Sequence, residues 1–369
     1  MKFNKISKKL AACSLAGVMM VSMMGMSVCA AGVVTGGTAT SPDISVPVNK
    51  TVSAAENTYA PNTTFNFTVT KAAATTITDG NGNSVDVKAG IDGGLIADKG
   101  ATFAPDINAE KTNAIYTPVA GKEATLKTNA SKFPEPGIYH YTVSEVDEKY
   151  EGITYDKTIY DVYVYVSAKL DADKNTTNVM YVSGVVSAKS DDDGTIVKSD
   201  LDFNNQYNGV HKVTVTKKVK GGFATAGDTF KFDVTVKGAA GEVYKVEYTT
   251  KGNLTTTCVE NGTPIEVELG QDDTVTIYGL SATDAYTIKE KGVENGKTAT
   301  GYTVTDTCGE SDGIVSGNGG DADANYTITN TKEAVTPTGI AMTVAPYILM
   351  VAVAGIFAIL FLRRRHEEA

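Results

Sequence analysis

Three short stretches of alternating residues occur twice in this chain, in the same order, and this limits what it can fold into more than any other feature. "VPVNKTV" (46–52) followed by "TTFNFTVT" (63–70) returns as "VTVTKKVKG" (213–221) followed by "DTFKFDVTV" (228–236). "GIYHYTVSEV" (137–146) returns as "DAYTIKEKGV" (284–293), and "LDFNNQY" (201–207) as "NYTITNTK" (325–332). Alternation at period two is the mark of a half-buried strand, and a set of strands repeated in order marks two copies of one domain. The copies fall at 40–209 and 210–333, with "NGVH" at the joint. Between these stretches lie further Val/Ile/Thr/Tyr/Phe alternations such as "YDVYVYVSAKL" (160–170) and "VMYVSGVV" (179–186), separated by Gly, Asn, Asp and Pro. No long amphipathic helix interrupts them, so the predicted fold class is all-β, a pair of sandwiches. The first copy is the larger, chiefly through 71–130, where loops or an extra hairpin are expected.

The facing of each strand singles out three residues per copy. Ile44, Val46, Val48 and Lys50 share one face, as do Val213, Val215 and Lys217. Tyr139, Tyr141, Val143 and Glu145 form a second row, matched by Tyr286, Ile288 and Glu290. Leu201, Phe203 and Asn205 form a third, matched by Tyr326, Ile328 and Asn330. Each domain therefore ends three apolar rows in one Lys, one Glu and one Asn. Burying such groups costs several kcal/mol (order of magnitude) unless they are paired or neutralised. Taken singly, a strand-end Lys snorkels, a strand Glu faces solvent and an Asn sits in a turn; the duplication weighs against that reading. Asn204, one residue out of phase, should point the other way.

Chemistry supplies a reason for burial. A desolvated lysine gives up its proton more readily and becomes a nucleophile, while a carboxyl in apolar surroundings holds its proton. A neutral amine beside an Asn amide, with the Glu polarising the carbonyl and shuttling protons, is arranged to form a Lys–Asn amide bond and release ammonia. The bond would tie the ends of each sandwich together, as a disulfide closes a long loop, so that pulling on the termini would load a covalent bond.

The ends are processing signals. Residues 1–31 carry four lysines, an apolar run and small residues around Ala30, which reads as a secretory signal peptide. Residues 340–362 are uncharged and long enough to span a bilayer, and the basic tail 363–369 begins with Arg363, Arg364 and Arg365, which fixes the cytoplasmic side. The chain carries a net charge of −10, and the part between the ends contains no arginine, which argues against nucleic-acid binding. Once the signal is removed only Cys258 and Cys308 remain, and in an exported chain such a pair points to one disulfide. No metal-spaced cluster, phosphate loop or nucleophile–histidine motif is present, so no metal, cofactor or enzymatic turnover is expected. The acidic "SDDDG" (190–194) reads as a solvated loop rather than a calcium site.

A first-strand Lys followed by "TFxF", a Glu in "YTxxE" and an Asn in a last strand resemble the isopeptide-linkage domains of Gram-positive, streptococcal-type major pilins. The resemblance covers both copies. It implies two tandem Ig-like sandwiches of the Cna-B or pilin type, with Lys50 bonded to Asn205 under catalysis by Glu145, and Lys217 to Asn330 under Glu290. Val335-Thr336-Pro337-Thr338-Gly339 (335–339), followed by the apolar span and the arginines, resembles a sortase sorting signal of the LPXTG-like kind, with Thr where Pro is usual. Cleavage would fall between Thr338 and Gly339. In the family a lysine of a neighbouring subunit receives that threonine; with no "YPK" motif here, Lys198 resembles the linking position. The partners implied are a sortase, identical subunits, minor pilins and peptidoglycan at the cell surface, with room for a host ligand. The rival reading is a monomeric wall-anchored adhesin or adhesin stalk built from the same domains.

Overall fold

The computed structural model describes residues 32–367 except 79–82, 107–112, 172, 174, 191–195, 226, 310 and 335–337. Side chains at 35, 176, 190, 196, 338–345, 362 and 365–367 are also outside the description. The signal segment 1–31, the "SDDDG" aspartates and the first three residues of the sorting motif thus lie outside the described residues. Six strands carry the rows that end in polar groups: β1 (Ser45–Ala54), β2 (Gly137–Glu145), β3 (Asp202–Tyr207), β4 (His211–Lys220), β5 (Ala285–Glu290) and β6 (Ala324–Thr331).

The fold is two β-sandwiches in tandem. In the first, one sheet runs Ile153–Thr154, β3, β1, Ala124–Thr128, Leu95–Lys99, and the other runs Val33–Thr35, Thr176–Ser190, Ile159–Leu170, β2, Ser84–Ala89, Thr75–Thr78. In the second, Asn253–Glu260, Val243–Thr250, Thr274–Leu280, β4, β6 and Thr303–Asp306 lead one sheet, opposite Ile265–Leu269, Phe230–Lys237, β5 and Ile314–Asn318. The alternating rows face inward as their period requires: Ile44, Val46 and Val48 join Tyr139, Tyr141, Val143, Leu201 and Phe203 in one core, while Val213, Val215, Tyr286, Ile288 and Ile328 join a second.

One pairing recurs and sets the geometry of everything that follows. The lysine strand and the asparagine strand of each domain are parallel neighbours, β1 with β3 and β4 with β6. The register is the same in both: Lys50 lies opposite Phe203 and Asn205 opposite Val52, as Lys217 lies opposite Ile328 and Asn330 opposite Val219. A two-residue offset preserves facing, so Lys and Asn share the inner face on adjacent strands. The Glu strand enters from the opposite sheet.

Two expectations change. Cys258 and Cys308 are both free thiols. Cys258 is on the edge strand Asn253–Glu260 and Cys308 follows Thr303–Asp306, five strand spacings away across the sheet. At roughly 4.8 Å per spacing that is about 24 Å, far beyond disulfide reach. The 71–130 segment carries the extra hairpin expected of it, Thr75–Thr78 with Ser84–Ala89, which continues the sheet beside β2, and its strands Leu95–Lys99 and Ala124–Thr128 complete the sheet of β1. Strand Val33–Thr35, ahead of the expected start at 40, pairs with Val186, Val185 and Gly184.

The joint between domains is short and polar. Residues 208–210 separate β3 from β4. Across it Tyr150 OH donates to Glu242 Oε1 at 2.6 Å and Asn62 Nδ2 to the Ala240 carbonyl at 3.0 Å. The C-terminal helix Thr338–Glu367 presents exposed apolar side chains from Tyr347 to Phe361. Among the described residues no helix is long and apolar enough to cross a membrane; the first part of the expected span at 340–362 lies outside the described side chains.

Candidate functional site

Each sandwich brings its Lys, Glu and Asn into one contact. In the first domain Lys50 Nζ lies 3.0 Å from Glu145 Oε1 and donates to Oε2 at 3.1 Å, and Asn205 Nδ2 donates to Oε1 at 2.9 Å. In the second, Lys217 Nζ donates to Glu290 Oε2 at 2.7 Å and to Asn330 Oδ1 at 2.6 Å, and Asn330 Nδ2 donates to Glu290 Oε1 at 2.5 Å. All four charged side chains have no solvent exposure. The carboxylate thus bridges amine and amide in both, held from the opposite sheet where Glu145 pairs with Phe67 and Glu290 with Phe232.

The "TFxF" stretch, legible as a motif without a role, walls the site. Lys50 Nζ sits 4.9 Å from the Phe65 ring centre; Lys217 Nζ sits 4.5 Å from Phe230 and 5.3 Å from Phe232. Rings exclude water while offering a weak attraction to the cation. Burial wins over the carboxylates' pull: desolvation, opposed by the charge and hydrogen bond of the partner glutamate, brings both Lys50 and Lys217 down from 10.5 to about 8. Burial likewise pushes the Glu145 carboxyl up, against the opposing pull of Lys50 and the Asn205 hydrogen bond. In the first domain an amine ready to lose its proton thus lies beside a carboxyl ready to take one, and that carboxyl holds the amide, which is the arrangement that amide exchange needs.

Asn204, out of phase, is exposed and accepts from Thr51 Oγ1 and Ser53 Oγ at 3.1 Å, as period two requires. One residue missed in the sequence is Asp156: its backbone N–H donates to Asn205 Oδ1 at 2.8 Å. It lies in the connection between Ile153–Thr154 and Ile159–Leu170, with no alternating pattern to mark it.

A third Lys–Asn–Glu contact crosses the domain joint. Lys245 Nζ donates to Asn57 Oδ1 at 2.6 Å and lies 2.7 Å from Glu247 Oε1. Its distances match those of the second site, but its environment does not. The Glu247 side chain is 23% exposed. Burial pushes that carboxyl up, yet hydrogen bonds from Lys245 and Tyr278 outweigh it and hold it below its usual range. Glu247 stays a carboxylate and bonds no amide proton of Asn57, so this is an ion pair clamping the domains rather than a place for amide chemistry.

Lys198 ends the strand Ile196–Lys198 and pairs with Ala188. It is partly buried, because that short strand lies along Thr176–Ser190. Thr338 and Gly339 open the C-terminal helix. Among the described residues no group of three or more His, Cys, Asp or Glu is placed to hold a metal.

Comparison with known proteins gives consistent matches. Residues 46–208 match the family model described as a Spy0128-like isopeptide containing domain, and residues 211–332 match a domain of unknown function (DUF7601). A curated protein of Streptococcus pyogenes serotype M1, named "Pilin", is 28% identical over 288 residues, 70% of this chain and 78% of that one. Among solved structures, the major pilin protein T3.2 of Streptococcus pyogenes serotype GAS13637 aligns with TM-score 0.55 and 21% identity over 82% of this chain and all of its own. The major pilin of Streptococcus pyogenes aligns with TM-score 0.51 and 24% identity over 79% of this chain and 99% of its own. The likeness to these structures is one of fold.

Proposed function

We propose, from the match of residues 46–208 to the Spy0128-like isopeptide containing domain, that this chain is the backbone subunit of a covalent surface pilus, each domain locked by one self-made Lys–Asn amide bond. The observation that carries the reading is the twofold recurrence of one buried geometry: Lys and Asn at the same parallel register, bridged by Glu. The assigned bonds are Lys50–Asn205, promoted by Glu145, and Lys217–Asn330, promoted by Glu290. Each forms in a single turnover. The neutral amine attacks the amide carbon, and the glutamate carries the surplus amine proton to the departing nitrogen, which leaves as ammonia. Fixed neighbours in a dry pocket supply the effective concentration, and the carboxyl supplies the proton path. The chain is not a multi-turnover enzyme in this reading.

At the C-terminus, the span 340–362 holds the exported chain in the membrane until a sortase cleaves between Thr338 and Gly339 and passes Thr338 to an amine. That amine is on an identical subunit during growth, for which Lys198 is the candidate, on a minor pilin, or on peptidoglycan at the base. Support comes from the exposed apolar run Tyr347–Phe361 of the terminal helix, a surface that water would not favour.

The test is the intact mass of residues 32–338 under reducing conditions, beside Glu145→Ala and Glu290→Ala. The unaltered protein is expected lighter than its sequence by two ammonias, each variant by one. A mass equal to the sequence mass would leave the buried polar groups merely structural.

A further inference from the structure

The Asn205 amide oxygen is held from behind by the main chain, and among the described residues of the second domain none does the same for Asn330. In the first domain Oδ1 accepts the Asp156 N–H at 2.8 Å, leaving Lys50 Nζ bonded to the carboxylate alone. In the second, Oδ1 accepts from Lys217 Nζ itself, and among the described residues no backbone N–H is directed at it. Taking the amide-forming reading as its basis, we infer that the Asp156 backbone N–H is a catalytic oxyanion donor for the Lys50–Asn205 bond, an element that no described residue supplies at the Lys217–Asn330 site.

The step that needs it is the attack. The lone pair of Lys50 Nζ bonds Asn205 Cγ, the carbonyl π pair moves onto Oδ1, and the amine's surplus proton passes through Glu145 to Nδ2. The pair on Oδ1 then re-forms the carbonyl as Nδ2 leaves as ammonia. Negative charge exists on Oδ1 only between these events, so a donor fixed there strengthens as the barrier is climbed. Lys217 cannot do this for its own target: once neutral and attacking, it moves from oxygen to carbon, and the hydrogen bond it gave is lost.

The donor is rigidly placed. The Asp156 carboxylate accepts the Thr158 N–H at 2.9 Å through Oδ1 and the Asn204 N–H at 2.9 Å through Oδ2, tying the connection to β3 itself. Tyr155, next to it, packs edge-on against Phe65, the ring over Lys50, and its hydroxyl accepts the Tyr150 N–H at 3.1 Å. The connection, the amide and the lysine's wall are therefore one assembly, and the donor needs no rearrangement to act.

The experiment follows both bonds against time in the full chain made by cell-free synthesis, reading the two cross-linked peptides by mass after digestion. In one sample residue 156 is introduced as the α-hydroxy analogue of aspartate, which exchanges the N–H for an ester oxygen and keeps the side chain. The Lys50–Asn205 bond is expected to form about 100-fold more slowly, while Lys217–Asn330 keeps its normal rate and serves as internal clock. Asp156→Pro, which removes the same N–H, should give the same selective delay, with hydrogen exchange of the β1–β3 ladder reporting that the domain folds. Asp156→Ala keeps the N–H and should be slowed less than either. Normal closure in the ester chain, or Asp156→Ala as slow as the ester, would overturn the assignment to the N–H. Absence of both bonds in unaltered chain would instead overturn the parent reading, and this one with it.

Discussion

The two sandwiches share the strand pairing that places Lys, Glu and Asn and differ in what their connections bring to the asparagine. Register, facing and the bridging carboxylate coincide between the Lys50 and Lys217 sites. What touches the asparagine oxygen does not: a main-chain N–H in one, the lysine in the other. The difference teaches that the position of the reactants is written in sheet pairing, which duplicates faithfully, whereas the polarising donor belongs to a connection that each copy builds anew. The contact of Lys245 with Asn57 and Glu247 sharpens the lesson, for it has short distances and lacks the dry setting.

The comparison can be broken most forcefully at the glutamates. Each proposed bond would close a loop of more than a hundred residues, so Glu145→Ala and Glu290→Ala should each remove about 5 kcal/mol of chain-entropy stabilisation from their own domain. Domain-resolved calorimetry under reducing conditions checks this, and a clear inequality would show that one bond does not form in the unaltered chain. Next come the unreacted sites. Asn205→Ala and Asn330→Ala leave a buried lysine whose folded value, about 8, lies below its ordinary 10.5. The unfolded chain then binds more protons between those values, so stability is depressed below pH 8 and recovers as pH rises toward 10. The swing is up to about 3 kcal/mol in each domain, and adding Lys50→Met or Lys217→Met should flatten it, which denaturant titration across that range would read.

A smaller effect is expected at the joint. Lys245→Ala should cost about 1 kcal/mol, the worth of a partly exposed pair, and should leave the count of released ammonias at two. A third ammonia in the unaltered chain, lost in this variant, would mean that short distance alone suffices. Least of all, Asn204→Ala should change stability by under about 0.5 kcal/mol and leave the Lys50–Asn205 bond intact, since its side chain faces solvent. Loss of the bond there would contradict the facing on which both sites rest.

Much of this was legible in the sequence because it depends on period two. Val46, Val48 and Lys50 had to share a face, and a repeated order of strands had to mean repeated partners. The parallel neighbourhood of β1 and β3 was not legible, since alternation says which way a side chain points and nothing about which strand lies beside it. The same blindness misled the cysteines: an even count suggested pairing, and sheet order put them about 24 Å apart. Asp156 acts through its backbone, which every residue carries alike, so its identity could signal nothing. Tyr150 and Glu242 meet only because two domains abut.

The brevity of the joint has a mechanical consequence. With both amide bonds made, tension entering at Lys50 crosses to Asn205, runs along residues 206–216 and crosses again from Lys217 to Asn330. All of that bridge except 208–210 is already extended in strands. A tether normally absorbs a jerk by releasing stored length, and here there is almost none to release. Links of this kind would behave as a cable rather than a spring, delivering a pull at one end to the other nearly undamped, and any give would have to come from where one link meets the next.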